Sequence, residues 1–390
     1  MTRRVAVIGV GQTKFGEHWS RSLRDLSTEA GGLAITDAGI AGKDIQALYI
    51  GNMSAGRFVG QEHLGALAAD QSGLTPIPAT RCEGACASGA MAFRQAYFAI
   101  HSGKYDIVMA AGAEKMTDLK GTDAVATLMG AGDQEWESAV GLTFTGLYAL
   151  MAVAHMKEYG TTREQMAMVS VNNHRNGVYN ELAQFRMPIT VEQVLNSPMI
   201  ADPLTLLDCS PITDGASAVI LASENIARKF RDPVWITGLA QASDTLALHD
   251  RKSLTEIGST RKASREAFEQ ARLKPRDISF AEVHDCFSIN EIIAIEDLGF
   301  AEKGKAGRFV EEGSIAVNRE MPVNTTGGLK SIGHPVGSTG TRQICDIVKQ
   351  LRGEVDKNIR VKSPVHGLAL NIGGTGATAV VSILSNQDGV

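Results

Sequence analysis

Short apolar runs alternate with longer amphipathic patterns along most of the chain. Apolar runs of about four to eight residues between turns are typical of buried strands, and a repeat near 3.6 residues is typical of helices. We predict strands at 5–8, 48–50, 107–110, 218–221, 235–239, 278–283, 368–371 and 379–384, and helices at 23–38, 90–101, 261–272 and 340–352. This alternation predicts layers of helix and sheet, an α/β fold.

A weak internal repeat divides the chain into two related halves. A helix that opens at Gly89 precedes the strand at 107–110, and a helix that opens near Gly337 precedes the strand at 368–371. We therefore predict one half from residues 1–117 and 206–232 and a second from residues 233–390. The segment 118–205 has helical and methionine-rich patterns and no strand signal, which predicts an inserted helical domain.

Composition excludes several classes of protein. The chain has 390 residues, more than one ordinary core accommodates, and its net charge of -5 shows no long run of one sign, so nucleic-acid binding is not expected. The apolar run at 5–8 is interrupted at Gly9, too early for a secretion signal or a membrane span, and we expect a cytoplasmic protein. Five cysteines without a CxxC pair predict reduced thiols and no metal site.

Cys86 lies in the segment Glu83-Gly84-Ala85-Cys86-Ala87-Ser88-Gly89, where a turn becomes a helix. Free N–H groups and the helix dipole at such a position favour thiolate over thiol, so we expect an activated nucleophile. The alternative is that Cys86 is a small buried apolar residue at a tight packing point.

His334 lies within a glycine-rich loop, residues 327–340, between Gly333 and Pro335. Proline stiffens the turn and the glycines allow the backbone to approach a ligand closely. The imidazole could take a proton from Cys86, orient the thiolate or donate a hydrogen bond to an oxyanion.

Two further segments carry chemistry. His284, Asp285 and Cys286 follow a predicted strand, and strand ends line ligand crevices in α/β folds; the alternative makes Cys286 a core residue and Asp285 a helix cap. Residues 371–377 form a glycine turn between two strands, and its N–H groups could form an oxyanion hole; the alternative is a tight hairpin.

These four segments, in this order and approximate spacing, resemble the thiolase superfamily across essentially the whole chain. The resemblance implies two βαβαβαββ halves in a five-layer αβαβα arrangement with an inserted loop domain. Most thiolases have Asn-Glu-Ala-Phe at residues 284–287 and Cys-x-Gly at residues 371–373. The His-Asp-Cys-Phe and Asn-Ile-Gly found here are similar to the sterol-carrier-protein-type and archaeal-type thiolases.

The resemblance also implies a role for each residue. Cys86 matches the acyl-accepting nucleophile, and His334 matches the histidine that activates it and lines the first oxyanion hole. Cys286 would be the acid/base thiol, and His284 would hold a water in the first hole. The N–H groups of Cys86 and Gly373 would form the second hole.

The implied reaction is a reversible Claisen condensation of coenzyme A thioesters, two acetyl-CoA giving acetoacetyl-CoA and CoA, with no cofactor besides these substrates. Ser264 resembles a serine that contacts pantetheine. Arg175 and Arg186 could meet CoA phosphates, although a solvated surface position is the alternative for both.

Other functions stay open at this point. A longer-chain or sterol-side-chain 3-ketoacyl-CoA is the alternative substrate. A retro-aldol enzyme is disfavoured because Cys86 and Cys286 are both present, and a ketoacyl synthase would have a second catalytic histidine in place of Cys286. The resemblance implies a homodimer or homotetramer, and it raises a scaffold-like subunit that acts only with a zinc-ribbon/OB-fold partner and hydroxymethylglutaryl-CoA synthase.

Overall fold

The computed structural model describes residues 3–388, so the terminal residues of both predicted halves lie outside the described range. The strands are β1 Val5–Gln12, β2 Leu48–Gly51, β3 Ala79–Cys82, β4 Ile107–Glu114, β5 Met199–Ala201, β6 Leu204–Thr205, β7 Gly215–Ser223, β8 Val234–Ser243, β9 Phe280–Glu282, β10 His366–Gly373 and β11 Thr378–Ser385. The helices are α1 Leu23–Ala38, α2 Ala55–Phe58, α3 Leu64–Gln71, α4 Ser88–His101, α5 Gly121–Leu128, α6 Phe144–Tyr159, α7 Arg163–Gly177, α8 Val191–Leu195, α9 Glu224–Ala227, α10 Gly258–Ala271, α11 Ser288–Asp297, α12 Ala306–Glu311, α13 Gly328–Ile332 and α14 Thr339–Arg352.

The strands are apolar throughout because both faces of the sheet are covered. In β1, Val5 and Val7 face the core that contains α4, whereas Ala6 and Ile8 face the core that contains α1. Side chains of a strand alternate between its two faces, so burial of both faces gives a continuous apolar run. The sequence therefore predicts this strand by its apolar run and not by alternation.

The two halves of the sheet repeat one strand order. The first half runs β3-β2-β4-β7-β1 and the second runs β9-β10-β11-β8, with matching parallel and antiparallel pairs. A single parallel bridge between Ala281 and Val323 occupies the position that β3 has in the first half. The halves join where β1 pairs with β8 over Ala6–Trp235 and Val7–Val234.

Helices form three layers around this sheet. The helices α4 and α14 pack against each other between the two halves, α1 covers the outer face of β1 and β7, and α10 covers β8 and β11. The result is the five-layer αβαβα arrangement, so the predicted fold class is confirmed. None of the described helices combines the length and hydropathy that a membrane crossing requires.

The segment between β4 and β7 contains α5 to α8, as the helical pattern predicts, together with the small sheet β5-β6, which it does not. The strand β6 has two residues, and β5 is largely exposed, so neither produces an apolar run. The edge strand β3 escapes prediction for a similar reason, because Thr80 and Arg81 interrupt it. The boundaries 118–205 of the inserted domain stay a prediction.

Candidate active site

A largely apolar cavity of about 300 Å³ brings three of the four predicted catalytic residues together. Cys86, Cys286 and His334 line it, each from a different turn. The rest of the lining comes mainly from the inserted segment and from the residues that precede β7, and it comprises Met116, Val125, Leu128, Thr143, Phe144, Thr145, Tyr148, Ile200, Leu206, Cys209, Ser210, Pro211, Ile212, Phe287, Val336 and Gly374.

Cys86 occupies the tight turn of residues 85–87 that leads into α4. Ala85, which precedes it, has a φ of 53°, a left-handed conformation that a residue with a Cβ rarely adopts. The Ser88 hydroxyl donates to the Ala85 carbonyl at 2.6 Å and accepts from the Gly84 amide at 3.0 Å, which holds this turn. The half-buried Cys86 is thereby presented at the helix entrance, as predicted.

The prediction that Cys86 is a thiolate is wrong for the resting protein, in which its sulfur is a thiol. Burial raises the pKa of Cys86 to about 12, and the charge of Glu114 acts in the same direction. The Gly374 amide hydrogen-bonds to the sulfur and lowers the pKa, but desolvation dominates because a thiolate loses more hydration than these few donors restore. Cys86 therefore needs a base to become a nucleophile.

His334 provides a neutral imidazole beside Cys86. Its backbone N–H donates to the Thr213 hydroxyl at 3.0 Å, and Nδ1 lies 2.7 Å from the Thr339 hydroxyl. That hydroxyl donates to the Pro335 carbonyl at 3.1 Å, so Nδ1–H is the donor and Nε2 keeps its lone pair. Burial, with the charges of Arg342 and Lys330, lowers the pKa of His334 to about 3. The ring is a base at neutral pH.

His284 is the complementary imidazole, a donor. Asn371 Nδ2 donates to its Nδ1 at 3.2 Å, so the hydrogen resides on Nε2, which has no partner among the described residues. Burial is the main cause that places the pKa of His284 well below its usual value, and it is neutral. The His284 and His334 rings meet edge to face with centroids 5.0 Å apart. One nitrogen of each ring and the Cys86 sulfur lie within 4.8 Å of one another.

The residues of the His-Asp-Cys-Phe segment have separate positions. Asp285 is buried, and its carboxylate accepts from the amides of Leu329 at 2.7 Å and Lys330 at 3.2 Å, at the start of α13. A Cβ at Gly328 would lie 2.5 Å from this carboxylate, and φ there is 56°, so only glycine fits. Asp285 thus caps a helix, although not its own, and ties this segment to the loop that carries His334.

Cys286 is 6 % exposed and points into the cavity. Burial raises its pKa, and a negative charge on Cys86 would raise it further. The nearby Tyr148 hydroxyl opposes this effect and lowers the pKa. Asn290 Nδ2 lies 3.8 Å from the sulfur. Cys286 therefore rests as a thiol beside groups that can stabilise its anion.

Gly374 is the residue of the glycine turn that reaches Cys86, and the oxyanion-hole role of Gly373 stays a prediction. Gly374 lines the cavity and its amide bonds to the Cys86 sulfur. Gly373 ends β10, where a Cβ would lie 2.3 Å from the Gly84 carbonyl, so it packs on the nucleophile turn instead. Sequence alone does not distinguish neighbouring glycines, because the turn geometry decides which amide points inward.

The three residues predicted to contact CoA do not line the cavity. Ser264 is 4 % exposed on the inner face of α10. Arg175 is exposed and donates to Asn172 Oδ1 at 2.6 Å, and the exposed Arg186 donates to the Val178 carbonyl at 3.2 Å. Their proposed roles stay predictions.

Cys86, His284 and His334 also present a sulfur and two nitrogens close enough together to bind a metal ion. We assign no metal to them, because the acyl-accepting role predicted for Cys86 requires a sulfur free to form a thioester.

Tyr148 is the main cavity residue that sequence reasoning missed. It lies on α6, is 1 % exposed, and donates to the Gly374 carbonyl at 3.0 Å. A tyrosine in the middle of a methionine-rich helix has no neighbouring motif, so its proximity to Cys286 appears only in three dimensions.

Comparison with known proteins identifies the family. The model of the thiolase N-terminal domain matches residues 5–225, and the thiolase C-terminal domain-like model matches residues 240–386. The chain belongs to the thiolase family. This thiolase is 58% identical over 385 residues to an acetyl-CoA acetyltransferase of Methanothermobacter thermautotrophicus, covering 98% of this chain and 100% of that protein.

More distant relatives agree with this assignment. This thiolase is 35% identical to sterol carrier protein 2 of Bos taurus over 97% of its own length and 72% of that protein. The solved structure of an Ltp2-ChsH2(DUF35) aldolase superposes with a TM-score of 0.86 at 26% identity, covering 99% of both chains. The predicted family, with its archaeal and sterol-carrier-type relatives, is confirmed, and the chain is an acyltransferase with thiolase activity.

Proposed function

We propose that this thiolase catalyses the reversible condensation of two acetyl-CoA to acetoacetyl-CoA and CoA. One observation carries the proposal: two thiols and two neutral imidazoles meet in one buried site, and one imidazole can accept a hydrogen bond there while the other can donate one. A Claisen reaction needs a nucleophile, a base for the α-proton and donors for two oxyanions. The identity of the relatives as acetyl-CoA acetyltransferases supports the acetyl substrate.

The first half-reaction makes an acyl-enzyme on Cys86. His334 Nε2 takes the proton of the thiol, and the sulfur attacks the thioester carbonyl. We assign the oxyanion to the N–H groups of Cys86 and Gly374, and Gly374 here takes the role predicted for Gly373; the effect of both amides on the Cys86 sulfur supports this assignment. The C–S bond to CoA breaks, and the departing CoA sulfur takes the proton of Cys286.

The second half-reaction forms the carbon–carbon bond. The Cys286 thiolate removes an α-proton from the second acetyl-CoA, while protonated His334 and His284 Nε2–H stabilise the enolate oxygen directly or through a water. The enolate carbon attacks the Cys86 thioester. The C–S bond to Cys86 breaks, and its sulfur recovers the proton from His334, which restores the starting state.

Short acyl groups suit the cavity best. Its volume of about 300 Å³ is at the lower end for ligand pockets, which disfavours a long or sterol-derived chain. One structural neighbour is named an aldolase. Both Cys86 and Cys286 line the cavity of this chain, and a retro-aldol cleavage needs no acyl-accepting thiol, so we favour thiolysis.

The proposal also includes a partner protein that contributes to CoA binding. Among the described lining residues of the cavity none is Lys or Arg, and Val125, Ile200 and Leu206 are 39 %, 49 % and 50 % exposed. CoA phosphates favour cationic groups. A zinc-ribbon/OB-fold partner, with hydroxymethylglutaryl-CoA synthase, would supply such contacts, and the name of the structural neighbour, Ltp2-ChsH2(DUF35), itself joins two components. We also propose a homodimer or homotetramer.

Substrate and location complete the proposal. CoA thioesters are the only small molecules the mechanism uses, so we propose no further cofactor. The five free cysteines suit a reducing compartment, and we propose the cytoplasm.

The test is cleavage of acetoacetyl-CoA by free CoA with the purified chain, compared with a long-chain 3-ketoacyl-CoA. We expect acetyl-CoA from the first substrate and little turnover of the second. Cys86→Ala should abolish turnover, whereas Cys82→Ala, a buried thiol outside the cavity, should retain it. Faster turnover of the long chain would contradict the substrate assignment, and full-rate activity of the isolated chain would contradict an obligate partner.

A further inference from the structure

Tyr148 connects the inserted segment to both thiols of the active site. Its ring is tilted by 31° against Phe287 with centroids 4.7 Å apart, which fixes the position of the phenol. The hydroxyl donates to the Gly374 carbonyl at 3.0 Å, and the Gly374 amide on the other side bonds to the Cys86 sulfur. Tyr148 and Cys286 line the same cavity, and the phenol lowers the pKa of this thiol.

A phenol has one hydrogen to donate and can rotate it between two acceptors. In the resting protein the acceptor is the Gly374 carbonyl, because Cys286 is a neutral thiol. Once Cys286 has lost its proton, its anion is the stronger acceptor, since hydrogen bonds to charged groups are roughly twice as strong as neutral ones. Asn290 Nδ2, at 3.8 Å, is the other donor to this sulfur.

We infer that Tyr148 is a positioning residue for the α-proton transfer: its hydroxyl turns from the Gly374 carbonyl to the Cys286 sulfur and stabilises the thiolate that acts as the base. This inference deepens the proposed function and rests on it. The phenol keeps its proton throughout, so no bond to Tyr148 forms or breaks. The proton that Cys286 takes from the substrate displaces the hydrogen bond, which returns to Gly374.

Other charged groups act on the same two side chains. The charges of Cys86, Lys330 and Asp285 also affect the pKa of Cys286. The charges of Cys86 and Arg251 also affect the pKa of Tyr148. These groups are unchanged in the variant below, so a shift in pH dependence reports the lost hydroxyl.

The experiment compares wild type with Tyr148→Phe, which keeps the ring packing and removes only the hydroxyl. Exchange of the acetyl α-protons of acetyl-CoA with D₂O is followed by mass spectrometry, in parallel with acyl transfer to Cys86. Tyr97→Phe is the control, because Tyr97 lies on α4 and does not line the cavity. We expect exchange to slow by about 10- to 100-fold in Tyr148→Phe, with acyl transfer much less affected.

A second measurement does not depend on turnover. The rate at which iodoacetamide labels the Cys286 peptide should rise with pH, and in Tyr148→Phe this rise should move upward by about 1 to 2 pH units, because the thiolate has lost a charged hydrogen bond. Replacement of Tyr148 by 3-fluorotyrosine, a stronger donor of similar size, should move it downward.

The outcomes separate the two proposals. Loss of exchange with intact acyl transfer and a shifted labelling profile supports the role of Tyr148. Equal loss of both steps, or an unshifted labelling profile in both variants, overturns it. If wild type neither acylates Cys86 nor exchanges protons, the proposed function fails, and the role of Tyr148 in α-proton transfer fails with it. The labelling profile then still shows whether the Tyr148 hydroxyl stabilises the Cys286 thiolate.

Discussion

A methyl group added at Gly340 would push the central helices α4 and α14 apart. A Cβ there would lie 2.2 Å from the amide nitrogen of Ala90 on α4 and 2.3 Å from Asn371 Oδ1. Real Cβ atoms essentially never approach another atom more closely than 3.0 Å, and the Ala90 nitrogen is backbone that cannot rotate away. The variant Gly340→Ala must therefore separate the two helices by about 0.8 Å.

This displacement acts on catalysis as well as on packing. Cys86 precedes α4 and His334 precedes α14, so the contact of the two helices fixes the distance between nucleophile and base. A misplacement of about 1 Å can cost about 100-fold in rate. Overpacking of a tight core costs about 1–3 kcal/mol of the free energy of unfolding. We therefore expect Gly340→Ala to react about 100-fold more slowly and to lose about 1–3 kcal/mol of the free energy of unfolding.

The assay measures the rate of acyl transfer from acetyl-CoA to Cys86 by rapid quench and mass spectrometry, together with the urea midpoint. Gly32→Ala is the matched control, because Gly32 lies in the helix α1 with nothing within 4 Å of its added Cβ. That variant should keep full activity and gain up to about 1 kcal/mol, since alanine is the better helix former. If Gly340→Ala acylates Cys86 at the wild-type rate, the helix contact does not set the catalytic distance and our reasoning is wrong.

Three further predictions concern single residues. Cys286→Ala should still acquire an acetyl group on Cys86 but exchange α-protons at least about 100-fold more slowly, and unimpaired exchange would remove Cys286 from the mechanism. Because the pKa of His334 is about 3, the base stays unprotonated, and the rate of acyl transfer should not fall between about pH 7 and pH 5; a loss with a midpoint near 6.5 would contradict the neutral imidazole. Gly328→Ala places a Cβ 2.5 Å from Asp285 at a residue whose φ is positive. A urea titration of this variant should show a free energy of unfolding that is lower by about 1–3 kcal/mol. The same titration of an active-site variant such as Cys86→Ala should show no such loss.

Much of the fold follows from local pattern. The helix predicted at 23–38 is α1, residue for residue, because Ser22 and Asp25 form a capping box at its start and Gly39 ends it in a left-handed conformation. Strands with both faces buried give unmistakable apolar runs. The short strands β3, β5 and β6 do not, because β3 and β5 are largely exposed and β6 has only two residues.

The site was predictable where chemistry accompanies a motif. Cys86, His334 and Cys286 occur beside glycines or at strand ends, and they meet in the cavity. The state of Cys86 was not predictable, because the helix entrance favours the anion whereas burial, which only the fold reveals, favours the thiol more. The role of Tyr148 was not predictable either, because its neighbours come from a distant part of the chain and only the fold brings them together.

The central claim is that Cys86 accepts the acyl group, and one measurement tests it directly. The protein is mixed with acetyl-CoA, quenched in acid within its first turnover and digested, and the peptides are analysed by mass spectrometry. Our account predicts the mass of one acetyl group on the peptide that contains Cys86, and none on that peptide in His334→Ala at the same time point. Acetylation of the peptide that contains Cys286 or Cys209, with Cys86 unmodified, would contradict it.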